Sequence, residues 1–296
     1  MMKRQELKLA IGAFALAITT VGAQAAVVLS NNVVPGDTFS NAGGSNQGQA
    51  VGATGWYYNN VRNSGTAGIN NAYARSGNGS ALLQGTVGPG GASSKADIEY
   101  LSGGVAVGGN FFATTSMGLF STFSAMQYDW YRDSGSTNSV VQMPALRILL
   151  DLDGNLATTG DRGGLVYEWA YNQAGNATTN TWVTATIGAS TKLWNFGLGL
   201  GFEFDIDGDG TPYDTLTEWQ GSARMANAAI LGFSAGVGSG WGPFIGAVDN
   251  IGWTINGQSQ TSNFEVSGGA VVPEPGTMLL VGAALLGVAV ARRRRS

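Results

Sequence analysis

Apolar and polar residues alternate with a period of two along much of the chain. In one such run, Leu146, Ile148 and Leu150 fall on one side of a predicted strand and Arg147 falls on the other. Roughly a dozen runs of this kind occur, separated by the clusters of Gly, Asn and Asp that form tight turns. No helical period of useful length appears in the body of the chain. The pattern therefore predicts an all-β fold, a single antiparallel β-sandwich of the jelly-roll kind.

The predicted sandwich domain occupies residues 53–266. Residues 26–52 are predicted to be a low-complexity lead-in that packs loosely, and residues 267–271 are a linker. Aromatic residues make up 10% of the chain beside 47 glycines, which is typical of a folded body rather than a disordered one. Two stretches, 74–87 and 238–266, are similar to strands of lectin-like sandwiches in their turn glycines and a Val-Asp-Asn step.

Residues 1–25 carry the parts of a secretory signal peptide. Basic residues come first, and the apolar run at 9–21 is too short to span a bilayer comfortably. Small residues follow at Ala23 and Ala25, which predicts cleavage by signal peptidase before Ala26. An uncleaved signal helix is the alternative, and the short apolar run fits it less well.

The C-terminal segment, residues 272–296, has a Pro-Glu-Pro motif, an apolar run at 278–291 and a cluster of arginines. An apolar helix of 14 residues is marginal for a lasting membrane span. The arginines would stay on the cytoplasmic side. The tail is therefore expected to hold the chain at the inner membrane only transiently. The residues behind this expectation are Pro273, Glu274, Pro275, Arg292, Arg293, Arg294 and Arg295.

These three parts, in this order, resemble the PEP-CTERM sorting tail of exported bacterial proteins. The resemblance implies recognition and cleavage by an exosortase, a membrane enzyme found mostly in Gram-negative bacteria that make extracellular polysaccharide. The resemblance covers about the last 25 residues. It indicates where the chain is sent, and it does not indicate an activity of the body. An ordinary tail anchor behind a Pro-rich linker is the alternative.

Composition narrows the chemistry open to the body. The chain has no cysteine and no histidine, which excludes disulfides, thiol and imidazole catalysis and the usual zinc sites. Without its two end segments the body keeps 8 basic and 17 acidic residues, a net charge of −9. Such a surface repels phosphate backbones, so nucleic acid is not expected as a partner. Divalent cations and neutral polymers fit this charge better.

Two acidic loops indicate a Ca²⁺ site, because Asp at alternate positions with Gly lets carboxylate oxygens surround a hard cation. The loop expected to be the stronger site contains Asp205, Asp207, Asp209 and Asp214. The weaker one contains Asp151, Asp153, Asn155 and Asp161. Neither is an EF-hand, since Leu216 and Arg162 stand where the last acidic ligand would be. The alternative is that these side chains only cap their own turns.

The segment 203–207 also permits an enzymatic interpretation. On a strand, Glu203, Asp205 and Asp207 would share one face. Their spacing resembles the E-x-D-x-E signature of laminarinase-like retaining glycosidases, which are themselves jelly rolls. The resemblance implies Glu203 as nucleophile and Asp207 as acid/base, but Asp207 is one methylene shorter than the family's glutamate. Hydrolysis is therefore less favoured than binding.

Aromatic side chains are the candidates for contact with sugar rings. The densest groups include Tyr57, Trp130 and Tyr131, which suit a glycan platform if they are exposed. In a sandwich, tryptophan more often packs in the core.

The sequence as a whole predicts an exported, exosortase-processed surface or matrix protein. Its sandwich is expected to associate with extracellular polysaccharide without enzymatic activity. The chain would be held transiently at the inner membrane and then reach the cell surface or the medium. The alternatives are a structural matrix protein without a specific ligand and a laminarinase-type glycoside hydrolase.

Overall fold

The computed structural model describes residues 25–86, 93–240 and 242–268. The predicted signal helix and the sorting tail lie outside these described residues. Within them the chain forms eighteen strands, two short α-helices and two 3₁₀ turns, Phe120–Thr122 and Ala223–Met225. In chain order the strands are β1 (Ala26–Val33), β2 (Phe39–Asn41), β3 (Gln47–Ala50), β4 (Trp56–Arg62), β5 (Gly65–Asn70), β6 (Ser80–Gly85), β7 (Lys95–Leu101), β8 (Val105–Val107), β9 (Asn110–Phe112), β10 (Phe123–Arg132), β11 (Ala145–Asp151), β12 (Arg162–Tyr167), β13 (Val183–Ile187), β14 (Lys192–Gly197), β15 (Asp214–Thr215), β16 (Ala229–Val237), β17 (Phe244–Ile255) and β18 (Gln258–Ser267), and the helices are α1 (Trp169–Asn172) and α2 (Leu216–Gly221).

The strands form two eight-stranded sheets and one separate hairpin, β8–β9. In sheet A the order is β1-β18-β17-β6-β5-β2, and β10 pairs with β17 and with β13. In sheet B the order is β15-β14-β12-β11-β16-β7-β4-β3. Among the described pairings, β1 runs parallel to β18 and the others are antiparallel, so the predicted purely antiparallel sandwich has one exception.

Alternation along each strand decides which side chains face the core. On β10, Tyr128 and Trp130 are fully buried, whereas Gln127 is exposed and Tyr131 is half-buried. Successive side chains of a strand point to opposite faces of its sheet. The apolar residues of both sheets therefore collect between the sheets, and polar residues collect on the two outer faces.

Aromatic rings from both sheets meet in the interior. Trp253 of sheet A lies 4.7 Å from Phe233 and 5.0 Å from Tyr100 of sheet B, measured between ring centroids. Trp56 of sheet B lies 6.2 Å from Trp253 and 4.9 Å from Phe264 of sheet A. Trp56, Phe233 and Phe264 are fully buried. These contacts hold the sheets face to face, and they confirm the predicted β-sandwich.

Residues 26–52 belong to the sandwich, so the prediction of a loosely packed lead-in is wrong. This segment supplies β1, which pairs with β18, and β3, which pairs with β4. Val28 and Val51 are buried, at 2% and 0% exposure. The partner of β1 stands more than two hundred residues later in the chain. Local composition cannot reveal such a long-range pairing.

Helical structure is confined to short elements. α2 follows Thr215, and the side chains of Thr215 and Glu218 form a reciprocal capping box. Trp219 of α2 is buried and donates its indole N–H to the Leu193 carbonyl at 3.1 Å. Neither helix of the described part has the length and apolar character that crossing a membrane requires.

Replacing Trp253 by Ala should lower the free energy of unfolding by about 3–5 kcal/mol, as for other buried aromatic truncations. The reason is that this ring touches aromatic partners from both sheets. Denaturant unfolding followed by far-UV circular dichroism would measure the loss. As a control, Val107→Ala on the β8–β9 hairpin, where the side chain is 61% exposed, should cost less than about 0.5 kcal/mol. Equally small losses for the two variants would contradict the central position of Trp253.

Candidate functional site

The first acidic loop joins β11 to β12. Asp151 ends β11 and Arg162 begins β12, and the two residues pair across the hairpin. Asp151, Asp153 and Asp161 each place a carboxylate oxygen within 4.8 Å of the others. Asn155 takes a different role, because its side-chain oxygen accepts a hydrogen bond from the backbone N–H two residues later, at 3.3 Å. The three carboxylates of the predicted group therefore lie together, and Asn155 caps the turn beside them.

Asp151 is the buried member of this group. Its side chain is 0% exposed; Oδ2 accepts a hydrogen bond from Arg162 Nε at 3.3 Å, and Oδ1 has no partner among the described residues. Burial first, and then the charge of Asp161, raise the pKa of the Asp151 carboxyl above its ordinary value. A buried carboxylate oxygen without a partner is costly. A hard cation held jointly with Asp153 and Asp161 would satisfy it.

The second acidic loop precedes β15 and gathers four carboxylates, each with an oxygen within 4.8 Å of the others: Asp205, Asp207, Asp209 and Asp214. Asp205 already accepts the N–H groups of Gly208 and Gly210, at 2.6 and 2.7 Å. Asp207 and Asp209 each accept the backbone N–H two residues ahead. The Gly210 N–H, aided by that of Gly208, holds the pKa of Asp205 below its ordinary value. These are the bonds of side-chain-capped turns. The second loop differs from the first in that no buried oxygen of its four carboxylates lacks a partner among the described residues, whereas Asp151 Oδ1 does.

The two acidic loops lie at opposite ends of β14. Asp214 pairs with Leu193 at the start of that strand, whereas Gly163, next to the first loop, pairs with Gly197 at its end. A separation of four residues corresponds to about 13 Å along a strand. The loops therefore form two separate carboxylate clusters and cannot share one ion.

The segment 203–207 lies in the loop between β14 and β15, so the strand that the enzymatic interpretation requires does not form there. Glu203 has a φ of +52°, in the left-handed region, and its N–H donates to the Asn195 carbonyl at 3.0 Å. Turn backbone does not send alternate side chains to one face. Glu203 and Asp207 therefore lack the shared strand face on which the resemblance to laminarinase-like glycosidases depends.

Two of the three aromatic candidates serve structural contacts. Trp130 is 0% exposed and its ring packs 5.5 Å from that of Trp169, so its prediction as part of a glycan platform is wrong. The alternation of β10 turns this residue toward the core. Tyr57 lies on the outer face of sheet B, where its ring contacts Phe111 at 4.3 Å and its hydroxyl donates to the Gly104 carbonyl at 3.2 Å. It supports the β8–β9 hairpin.

Tyr131, the third candidate, belongs to an aromatic patch on the outer face of sheet A, made of Tyr73, Tyr131 and Trp182. The ring of Tyr131 lies 4.7 Å from that of Tyr73 and 5.6 Å from that of Trp182. All three side chains are half-buried. Tyr73 comes from the β5–β6 connection and Trp182 directly precedes β13. Sequence reasoning missed these two, because the three residues meet only through the pairing of distant strands.

Charged and polar groups surround the aromatic patch. The Arg75 guanidinium lies 5.9 Å from the ring centroid of Trp182 and donates from Nε to Asp129 Oδ2 at 3.0 Å. The hydroxyls of the two patch tyrosines donate to Asp133 Oδ2 at 2.8 Å and to Asn180 Oδ1 at 3.3 Å. The patch thus combines ring faces with hydrogen-bonding groups, the two features that sugar recognition requires.

Buried carboxylates of sheet A fix residues 71–79, the connection that carries Tyr73. Asp249 accepts the N–H of Ser76 at 3.3 Å, and Glu265 accepts that of Asn78 at 2.5 Å. Burial raises the pKa of Asp249 to about 7. These acceptors take the place of a strand partner for the backbone of the connection. They position the aromatic patch.

A cavity of about 340 Å³ lies on the outer face of sheet B. Three charged side chains at alternate positions of β7 form its floor, Lys95, Asp97 and Glu99. Arg147 of β11 reaches the same floor, and Arg62 of β4 stands directly opposite Lys95. Sequence reasoning singled out none of these as site residues. The available signal was the Lys-x-Asp-x-Glu alternation of β7.

The β8–β9 hairpin borders this cavity and is fixed by two asparagines of β4. Asn59 donates from Nδ2 to the Phe111 carbonyl and accepts the Phe111 N–H on Oδ1, both at 2.9 Å. The N–H of Asn60 donates to Asn110 Oδ1 at 3.0 Å. Side-chain amides thus replace a third strand for this hairpin.

A comparison with known protein families identifies a sorting motif in the C-terminal tail. A family model described as the PEP-CTERM protein-sorting motif matches residues 271–295. The match contains the Pro-Glu-Pro motif, the apolar run and the arginines, so this prediction is confirmed. The motif marks the chain as an exported protein that is processed by an exosortase-type sorting enzyme. A comparison of the chain with curated proteins gives no match.

Calcium should raise the melting temperature of the protein, because an ion at the first acidic loop would satisfy the unpartnered oxygen of Asp151. At a hundredfold excess over Kd the gain is about 2.7 kcal/mol, or roughly 5–10 °C for a domain of this size. Thermal melts with calcium and with a chelator would measure it. Asp161→Asn should abolish the shift, because it removes one of the carboxylate charges that would hold the ion. The substituted side chain keeps an oxygen that can accept a hydrogen bond, so the turn should be preserved.

Asp209→Asn is the matched control for calcium binding, because it makes the same change in the second loop and keeps the bond to Thr211. We expect the calcium shift to survive this change. Loss of the shift in Asp209→Asn alone would assign the ion to the second loop. Identical melts of the wild type with calcium and with chelator would remove both sites.

Proposed function

We propose that the exported body is a non-enzymatic surface or matrix module that binds extracellular polysaccharide through the aromatic patch of sheet A. The observation that carries this proposal is a group of three half-buried rings on an outer face, in which Tyr131 contacts both Tyr73 and Trp182. Partly exposed rings offer apolar faces on which the C–H groups of a sugar can stack. The sorting tail brings the module to the cell exterior, where such polymers occur.

Hydrogen-bonding groups at the rim support recognition of a hydroxyl-rich polymer. Arg75 has a side chain that is 38% exposed and donates to Asp129 through Nε. A guanidinium carries five N–H donors, so others remain for a ligand. Asn180 is exposed next to the Tyr131 hydroxyl, and its amide keeps one N–H beyond the bond to Ser134 Oγ. Ring faces flanked by an amide and a guanidinium suit a neutral or weakly charged polysaccharide.

The carboxylates beside the patch favour binding over hydrolysis. Asp129 accepts hydrogen bonds from Arg75, Asn250 and Thr184. Asp133 accepts the Tyr73 hydroxyl and the N–H of Gly135. Hydrogen bonds donated to a carboxylate favour its ionised form, which disfavours a role as general acid. Both carboxylates are instead occupied in holding the patch together.

Processing should remove both ends of the chain. In a host with the sorting enzyme we expect a mature N-terminus at Ala26 and loss of the arginine cluster. Intact-mass measurement of the secreted protein would test this. A secreted form that keeps residues 292–295 in such a host would contradict processing by an exosortase.

Removing a ring of the aromatic patch should weaken retention on polysaccharide. Trp182→Ala and Tyr131→Ala should each cost about 1–3 kcal/mol, by analogy with a base lost from an aromatic stack. Affinity electrophoresis of the secreted protein, in gels that contain the host's extracellular polysaccharide, would measure the change. Phe202→Ala is the control, because that ring is 66% exposed and lies in the β14–β15 loop. Retention should be unchanged in this variant.

The same protein preparations separate binding from hydrolysis. Wild type should release no reducing sugar from β-glucans above background, and Glu203→Gln should leave retention unchanged. Release by wild type that disappears in Glu203→Gln would favour the glycoside hydrolase instead. If neither ring substitution changes the retention of the protein, the aromatic patch is not a glycan site. That result would favour the alternative, a structural matrix protein without a specific ligand.

A further inference from the structure

The cavity on the outer face of sheet B carries more cationic than anionic side chains, although the body has a net charge of −9. Three cations, Arg62, Lys95 and Arg147, line it together with two carboxylates, Asp97 and Glu99. Arg162 also lines the cavity, but it pairs with Asp151 of the first acidic loop. A local excess of positive charge in an acidic body indicates an anionic ligand.

Asp97 forms ion pairs with two of the cations. Its carboxylate accepts Lys95 Nζ at 2.9 Å and Arg147 Nη1 at 3.0 Å. Burial alone would raise the pKa of Asp97, but the charges of Lys95 and Arg147 hold it below its ordinary value. Gly236 makes room for this arrangement, because a side chain there would meet the Asp97 carboxylate.

Glu99 is held by neutral amides and has no ion-pair partner among the described residues. Its two oxygens accept hydrogen bonds from the neutral amides of Asn59 and Asn60, at 2.6 and 3.0 Å. Burial, and next the charge of Asp97, raise the pKa of Glu99 above its ordinary value. Three cations against two carboxylates leave an excess of one positive charge in the cavity even when Glu99 is ionised.

Arg62 is the cation without a carboxylate partner among the described residues. It donates to the neutral Asn46 Oδ1 at 2.7 Å. On the adjacent strand its cross-strand neighbour is Lys95. Like charges directly opposite each other in a sheet are unfavourable. An anionic group placed between Arg62 and Lys95 would relieve this repulsion.

The cationic side chains of Lys95 and Arg147 are more exposed to the cavity than the Asp97 carboxylate to which they bind. The side chains of Lys95 and Arg147 are 18% and 9% exposed, against 1% for Asp97. The described bonds of Arg147 use Nη1 alone, to Asp97 and to Ser234. Its other guanidinium N–H groups remain for a ligand.

The remaining walls suit a sugar ring better than a bare anion. The rings of Phe111 and Phe196 and the side chain of Leu149 supply apolar surface, and Asn110 supplies an amide. The volume, about 340 Å³, falls at the lower end of the range for small-molecule sites. It is larger than a simple carboxylate needs.

We propose that this cavity binds a carboxylated sugar, such as a uronic acid unit, with its carboxylate at Arg62 and Lys95 and its ring against the aromatic wall. The cavity lies on the opposite sheet from the aromatic patch. The inference therefore stands or falls separately from binding at that patch.

Isothermal titration calorimetry of the secreted protein with sodium glucuronate would test the cavity, with glucose and sodium acetate as comparison probes. We expect glucuronate to bind at least about tenfold more tightly than either, because charge-assisted bonds and ring contacts act together. Arg62→Met should weaken glucuronate binding about tenfold or more, and Arg62→Lys should restore part of it. Arg224→Met, at an exposed position after α2, is the matched control and should have no effect.

Thermal melts of the variants guard against loss of folding, and Arg62 suits this test because its described hydrogen bond joins it only to Asn46. No binding of millimolar glucuronate to folded wild type would overturn the proposal. Equal affinity for glucose would overturn the role of the charges. Equal affinity for acetate would overturn the assignment to a sugar.

Discussion

The packing of aromatic rings between the two sheets is the interaction on which the rest of the structure depends. Trp253 touches Trp56, Tyr100 and Phe233, and these contacts join β17 to three strands of sheet B. Because the space between the sheets is filled by rings, every charged side chain of the strands has to face outward or pair. Both candidate ligand sites consequently lie on outer faces, one on each sheet.

The alternation of apolar and polar residues was sufficient to predict the sandwich. The same alternation indicates that Trp130 faces the core, since Gln127 and Tyr131 lie on the opposite, outer face of the same strand. The segment 203–207 has the same apparent alternation, but Glu203 adopts a left-handed conformation and no strand forms. Alternation states which residues would share a face if a strand existed. It does not state that the strand exists.

The candidate sites were harder to predict, because each depends on contacts between distant segments. The alternation of Lys95, Asp97 and Glu99 is visible in the sequence, but the register that places Arg62 opposite Lys95 is not. The aromatic patch needs the β5–β6 connection, β10 and the residue before β13 to converge. The parallel pairing of β1 with β18 has the same character, and it explains why the first strands looked like a loose lead-in.

Amide side chains make these long connections possible in a chain so rich in glycine. Asn59 pairs with both backbone groups of Phe111, and Asn78 accepts the N–H of Val266. Asn195 accepts the N–H of Phe204 and donates to the Gly201 carbonyl. Buried backbone groups must find partners, and an asparagine supplies a donor and an acceptor together. Connections without secondary structure can therefore lie flat against the sheets, where they border the cavity and hold the aromatic patch. Both candidate sites are therefore bordered by segments that side chains, rather than further strands, hold in place.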